Sequence, residues 1–530
     1  MAESNKEFGF PSWGQHERMA VALETIANNY DSSGMTTLEK TVCANFIASR
    51  TGRVWKRKIW HYDTNTTSAV VEADDYGMGA ATPGTNLVEG SDPYLDYSVF
   101  QWEDCNYVRD DDGTARLTAL KGMPGFKTSG AVDVGVISPT FWWKFERHDT
   151  YDMLYFSDSP NPALGLSPWV DAVKTDGTVL PYYIVSKYPS VLGDDNLWRS
   201  LPGKAPVWKI SHNSMITNYQ KKGTGYWGAG NSANTLQGIM LAVKYLTKNS
   251  QKYFRGHVDN NFQYVVAATE SDVTRVLLTE EQAGKFEVNG VVLVGDSGDA
   301  STVPDRGAAV TINIADRVRI KSIEAVEVGG TTYYALNLDV SEAFSTTETT
   351  WVSSAPNYTG MTDEVLGHYD GSYVSNTNGH WGYRVKGIEY MLGQYIVAAD
   401  TILKFEDVLG VSDVYVAPKG VAHTSAGPTS DYVRVGVMPT AGDGSTTNPD
   451  YYGGDYIMDE TTGASWTSTV GGSNSTGTAD RIWAGGTSAK NVAREYLMNA
   501  YLHDGSTAGV WTVNRHYALG PSYWYFSSRD

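Results

Sequence analysis

Apolar and polar positions alternate along the middle of this 530-residue chain. Val310, Ile312 and Ile314 alternate with polar residues, as do Val318 and Ile320, and then Leu336, Leu338 and Val340. A period of two marks half-buried antiparallel strand. Val291–Val294 is an unbroken apolar run, and Gly329-Gly330 has the chemistry of a tight hairpin turn. Residues 266–345 are therefore predicted to form a small antiparallel β-barrel or sandwich inserted in a larger domain. Arg53–Tyr62 and Val134–Phe145 read as further strands, the second ending in the aromatic run Phe141-Trp142-Trp143-Lys144-Phe145.

Helical spacing occurs in three places. Met19, Leu23, Ile26 and Tyr30 form one stripe, closed by Asp31-Ser32-Ser33-Gly34 and flanked by Phe8, Phe10, Pro11 and Trp13. So short a helix cannot bury its stripe alone, so residues 1–35 are predicted to be an N-terminal helical anchor that docks elsewhere. Leu236, Ile239, Val243 and Leu246 share one face of a helix over Ser232–Lys248, with Ser and Asn at its ends as caps. Val492, Tyr496, Leu497, Ala500 and Tyr501 predict a third helix. Gly387–Gly393 and Gln394–Phe405 are apolar and read as buried. Residues 346–365 read as a Ser/Thr-rich link, and Ala441–Asp480 as long surface loops of the functional or mobile kind. The predicted organisation is 1–35 anchor, 36–265 β-rich mixed domain with one long helix, 266–345 insert and 346–530 binding domain. The fold class is α+β and β-rich.

Composition sharpens this picture. Aromatic residues make up 12% of the chain, with 34 Tyr and 16 Trp, beside 54 Gly and only 19% charged residues; such chains favour strands and loops. A net charge of −19 disfavours binding to nucleic acid and anionic membranes, because phosphate recognition needs clustered Lys and Arg. The densest basic run, Arg53–Lys58, reads as the solvated side of a strand. No apolar run reaches the roughly 18 residues of a membrane span, and the start lacks a signal-peptide pattern. The expectation is a protein made in the cytoplasm that does not insert in membrane. Cys43 and Cys105 are expected to be buried thiols.

Motifs for catalysis are scarce. The histidines are scattered, with no HxxxH, HExxH or CxxC pattern, and Asp110-Asp111-Asp112-Gly113 reads as an acidic turn rather than a calcium loop. There is no G-x-S-x-G elbow, and Phe126 precedes Lys127-Thr128 where a phosphate loop needs Gly. Glu103, Asp104, Asp133 and Asp158 lie near Trp102, Trp142 and Trp143 in sequence, but no motif singles out a carboxylate pair. The expectation is no metal, no cofactor and no catalysis.

Binding chemistry concentrates at the end of the chain. Residues 499–530 hold no Lys, Glu, Gln or Met, and are rich in Tyr, Trp, Ser, Gly, His and Asn. Tyr and Trp give rigid contact area, and Ser, Gly and Asn give adaptable hydrogen bonds. Trp511, Trp524 and Phe526 are assigned to the core, since large aromatics dominate cores. Tyr501, His503, Asn514, His516, Tyr517, Ser522, Tyr523 and Tyr525 are then the candidate ligand-binding residues, facing outward.

Tyr226-Trp227-Gly228, the stretch from Met240 to Gln251, and Trp102–Tyr107 resemble recurrent segments of bacteriophage tail and virion proteins. The ending from Ser522 to Arg529 resembles the C-terminal signature of C-type-lectin-like domains related to the formylglycine-generating fold. That group includes variable proteins diversified by retroelements at adenine-containing codons. The resemblance implies a virion-borne receptor-binding protein, often a homotrimer, located on the tail or head surface. Its partners would be a host-surface protein or glycan and, through the N-terminal region, other virion proteins. No Cys follows Cys105, so the paired-cysteine oxidase activity of that fold is not expected. Two other functions stay open at this point: a tail depolymerase cutting host glycans, and a purely structural head or tail protein.

Overall fold

The computed structural model describes residues 34–64, 71–74, 78–404, 411–439, 452–473, 475–483 and 492–530. The anchor helix expected around Met19–Tyr30 lies outside them. The chain is a β-rich α+β protein, with 13% helix and 36% strand.

Helix α1 (Thr37–Ala48) begins in a capping box, in which Thr36 Oγ1 accepts from the Glu39 N–H and Glu39 accepts from the Thr36 N–H. Its apolar side, Val42, Cys43 and Phe46, shares a core with Cys105, Leu117 and Tyr182. Both cysteines are buried and free. Two antiparallel sheets follow. One orders its strands Val71–Asp74, Val54–Trp60, Tyr151–Ser157, Trp142–Arg147 and Ser167–Pro168. The other orders them Ala115–Leu120, Glu103–Arg109, Asp133–Pro139 and Tyr182–Ser186. The strand expected over Val134–Phe145 is thus two strands in two sheets. The chain changes sheet at Thr140, whose N–H and hydroxyl bond the carbonyls of Pro181 and Leu180 instead of a ladder. The basic run is also corrected: Arg57 points inward on Val54–Trp60, fully buried, and donates to the Val243 carbonyl and to Tyr94.

Helix α2 (His212–Gln220) precedes the central helix α3 (Ser232–Tyr245), every residue of which is buried. Several of its polar positions have buried partners, although Asn234 Nδ2 has none. Lys244 pairs with Asp92 at 2.6 Å and Asp370 at 2.7 Å, and Gln237 accepts from Tyr383 Oη at 2.9 Å. At Gly238 an added Cβ would lie 2.2 Å from the Trp511 ring, so the glycine lets that indole lie against the helix. Asn231 is the N-cap, but its side chain makes no capping bond; it binds the backbone of Ser465 instead.

The middle of the chain forms a six-stranded antiparallel sheet from Gln263 to Ser354, in the order Gln263–Val265, Thr350–Ser354, Val291–Asp296, Ala315–Val328, Thr331–Leu338 and Arg275–Leu278. The long strand Ala315–Val328 pairs on one side with Val291–Asp296 and on the other with Thr331–Leu338. Side chains from both halves, Val276 and Leu336 with Val292 and Val352, share one core. Gly329 and Gly330 make the hairpin turn, with φ of 61° and 82°. Two expectations fail here. Val310 lies in a 3-10 turn, Ala309–Thr311, and is exposed. Thr350–Ser354, placed in a link by its Ser/Thr content, is a fully buried strand, because its hydroxyls bond neighbouring backbone.

The C-terminal sheet orders Val433–Pro439, Val411–Val416, Tyr395–Lys404, Ala493–Met498, Val513–Asn514 and Ile482–Trp483, with Phe526–Ser527 running parallel to Tyr395–Ile396. The helix expected from Val492 is thus the strand Ala493–Met498. Its residues Glu495–Met498 are buried on both faces, and such a strand carries no period-two signal. Ala441–Asp480 is not all loop either: Gly453–Met458 and Ser465–Val470 form a hairpin anchored by Tyr456, Met458 and Trp466.

Candidate functional site: a tyrosine face at the C-terminal sheet

The last strand fixes this site from below. Phe526 is fully buried against Tyr395, which is itself buried. Trp511 stacks on Tyr456 at 3.9 Å, and Trp524 is 7% exposed. The indoles and Phe526 therefore belong to the frame, as the sequence indicated. Tyr395 donates to Asp504 Oδ2 at 2.8 Å, which holds the loop after Tyr501 in place.

On this frame lie four tyrosines in mutual contact. Tyr523 and Tyr525 stack at 5.2 Å and 13°. Tyr501 lies 4.8 Å from Tyr525, and Tyr517 lies 4.8 Å from Tyr523. The Tyr517 and Tyr525 hydroxyls hydrogen-bond at 2.7 Å. Tyr501 Oη meets His503 Nδ1 at 3.0 Å. Tyr523 is 38% exposed, and His503, His516 and Ser522 are exposed. Tyr501, Tyr517 and Tyr525 are half-buried. His516 packs edge-on to Tyr517 at 5.0 Å.

Asn514 is the exception among the eight candidates. It is 7% exposed, lies within the sheet, and its side-chain oxygen accepts from the His516 N–H. It is a frame residue, and its place in an outward-facing set is corrected.

The face is electrically neutral. Burial raises the Tyr525, Tyr501 and Tyr517 phenols above their ordinary value; the Tyr517 phenol adds to this at Tyr525 and nearby Asp504 at Tyr501, while at Tyr517 the hydrogen bond with Tyr525 offsets part of it. Burial, and then nearby Arg306, lower His503. At neutral pH the rings thus present hydroxyl donors and acceptors without a net charge.

Distant segments complete the edge. The Lys209 N–H donates to the Tyr523 carbonyl at 3.1 Å, and the Arg306 guanidinium lies 5.1 Å from the Trp524 ring. Neither carries a local sequence signal, because both arrive through tertiary packing. The chain end is locked as well. Arg529 donates to the carbonyls of Ser186 and Glu389. Asp530 meets Lys222 at 2.6 Å and Arg109 at 3.1 Å, and Lys222 also meets Asp133 at 2.8 Å. Burial alone would raise the Asp530 pKa; Lys222 and Arg109 more than reverse this and hold it below the usual range.

Of the four carboxylates near the tryptophans in sequence, three are held by charged or backbone partners, and Glu103 accepts only from the Asp104 N–H among the described residues. Asp104 pairs with Lys187, Asp133 with Arg199 and Lys222, and Asp158 accepts from Thr51 and Gly52. The acidic turn Asp110–Gly113 closes through the Gly113 N–H to the Asp110 carbonyl, and among the described residues no group of three His, Cys, Asp or Glu is placed to hold a metal ion. Among the described residues no helix is long and apolar enough to cross a membrane.

These features define a β-rich α+β protein with a partly exposed aromatic face on its C-terminal sheet. No protein-family model matches the chain, and no curated protein matches it.

Proposed function

We propose that this protein is an adhesin, carried on a phage particle, that binds a host-surface protein or glycan through the tyrosine face. In this reading residues 346–530 are a C-type-lectin-like binding domain and residues 1–35 dock on other virion proteins. Copies assemble as a homotrimer, which multiplies the affinity of each face by avidity. The observation that carries the reading is the contiguous, uncharged cluster of Tyr501, Tyr517, Tyr523 and Tyr525 on a buried frame. Binding energy concentrates on preorganised aromatic anchors, and few rotamers remain to be frozen here.

The test is a pull-down of the purified full-length chain with a panel of intact bacterial strains. The chain should bind at least one strain. Tyr523→Ala with Tyr525→Ala should lower that affinity by about thirtyfold or more, since an anchor of this type is worth about 2 kcal/mol or more. The variant's melting temperature shows whether the frame survives. A folded variant that binds as well as the parent removes the proposal.

A further inference from the structure

A second feature lies away from the tyrosine face. A cavity of about 570 Å3 opens beside the N-terminus of α3, lined by the turn after Glu103–Arg109, the Val170–Ala172 turn, and the loops at 417–423 and 460–462. Its volume is in the range of sites that take small ligands.

Its lining is rich in charged groups. Five carboxylates line it: Asp530 pairs with Lys222 and Arg109, Asp112 accepts from the Thr114 N–H and Thr175 Oγ1, and Asp171, Asp400 and Glu460 have no cation within ion-pair distance among the described residues. Asp171 accepts from Trp169 Nε1 at 3.1 Å and Ser232 Oγ at 3.3 Å. Asp400 accepts through Oδ1 from the Asn231 N–H at 2.9 Å and from Thr401 at 2.7 Å. Glu460 accepts from the Phe145 N–H at 2.7 Å. Of the two lysines in the lining, Lys174 and Lys419, the second donates to the Val173 carbonyl at 2.8 Å. Burial raises the three carboxyl groups without a cation, Asp400 to about 6, and lowers Lys419 to about 8.

One wall is aromatic. Trp227 is half-buried and its ring lies 5.1 Å from that of His423. His423 Nδ1 is buried without a hydrogen-bond partner, a state that costs free energy unless something fills it. At Gly230 a Cβ would stand 2.1 Å from Asp400 Oδ2, so the glycine is what lets that carboxylate lie over the start of the helix.

From this arrangement we infer that the cavity is a binding site for a neutral, hydroxyl-rich ligand, an oligosaccharide segment. An anion would meet three unpaired carboxylates. Sugar hydroxyls would donate to Asp171, Asp400 and Glu460, ring oxygens and hydroxyls would accept from Lys419, and the apolar face of a pyranose would lie on Trp227. His423 Nδ1 would gain the partner it lacks.

The experiment is saturation-transfer NMR on the full-length chain with a panel of neutral tetrasaccharides derived from dextran, mannan and galactan, and with spermidine as a cationic comparison. At least one tetrasaccharide should bind. Trp227→Ala and the near-isosteric Asp400→Asn should each weaken it tenfold or more, while Tyr523→Ala with Tyr525→Ala leaves it unchanged. Asp400→Asn keeps the test alive if Trp227→Ala does not fold. The inference is overturned if no tetrasaccharide binds, if only spermidine binds, or if Asp400→Asn has no effect. Because the two variant sets are separate, this site and the tyrosine face stand or fall independently.

Discussion

Two residues show how tightly single positions are specified. Gly238 sits mid-helix, where glycine is disfavoured by about 1 kcal/mol relative to alanine, yet its missing Cβ is where the Trp511 ring lies. Gly238→Ala is therefore expected to destabilise the protein by about 1–3 kcal/mol, the usual cost of overpacking. Urea unfolding measures it; a stabilised variant would mean that the indole moves aside freely. Asp530 is the second. Removing its charge with Asp530→Asn leaves Lys222 and Arg109 short of a buried partner, and breaking a buried pair costs about 3–5 kcal/mol. Equal melting curves for variant and parent would contradict that account. Neither role was legible in the sequence, since Gly238 and Trp511, and Asp530 and Arg109, are brought together only by the fold. Trp511, Trp524 and Phe526 were legible as frame, because large apolar rings bury whatever their neighbours are.

At the level of elements, legibility followed local periodicity. Central helix α3 and the Gly329-Gly330 hairpin could be read because their signals are carried by neighbours in sequence. Ala493–Met498 could not. Its apolar residues match both helical spacing and a strand buried on both faces, and pairing with Tyr395–Lys404 decides between them. This strand also carries a buried acid. Glu495 accepts a single hydrogen bond, from the His212 N–H at 3.0 Å, and burial pushes its pKa up to about 8. Glu495→Gln is expected to leave the melting temperature nearly unchanged at pH 5, where the acid is neutral. It should raise the melting temperature relative to the parent above pH 8. A variant that is less stable than the parent at pH 9 would show that the ionised carboxylate is welcome there.

Across the whole molecule the buried acids act together. Asp480 and Asp504 are raised by burial to about 7, beside Glu495 at about 8. Each binds its proton more tightly folded than unfolded, so the folded state holds more protons and stability falls as pH rises. The loss begins near the unfolded carboxyl range, about pH 4, and is complete once the folded values near 7–8 are passed. The buried histidines His212, His257 and His423, lowered by burial, act in the opposite sense, so the acids are read by comparison. The urea midpoint of Asp480→Asn with Glu495→Gln should gain on that of the parent from pH 4.5 to pH 9, and a constant difference would contradict the burial of these groups as neutral acids.

The measurement that bears most directly on the central claim is hydroxyl-radical footprinting of the full-length chain, free and bound to cells of a strain it recognises. The account predicts protection of Tyr517, Tyr523 and Tyr525 on binding, with little change elsewhere in the C-terminal sheet. Protection confined to another surface, with these tyrosines as reactive as in the free protein, would contradict it.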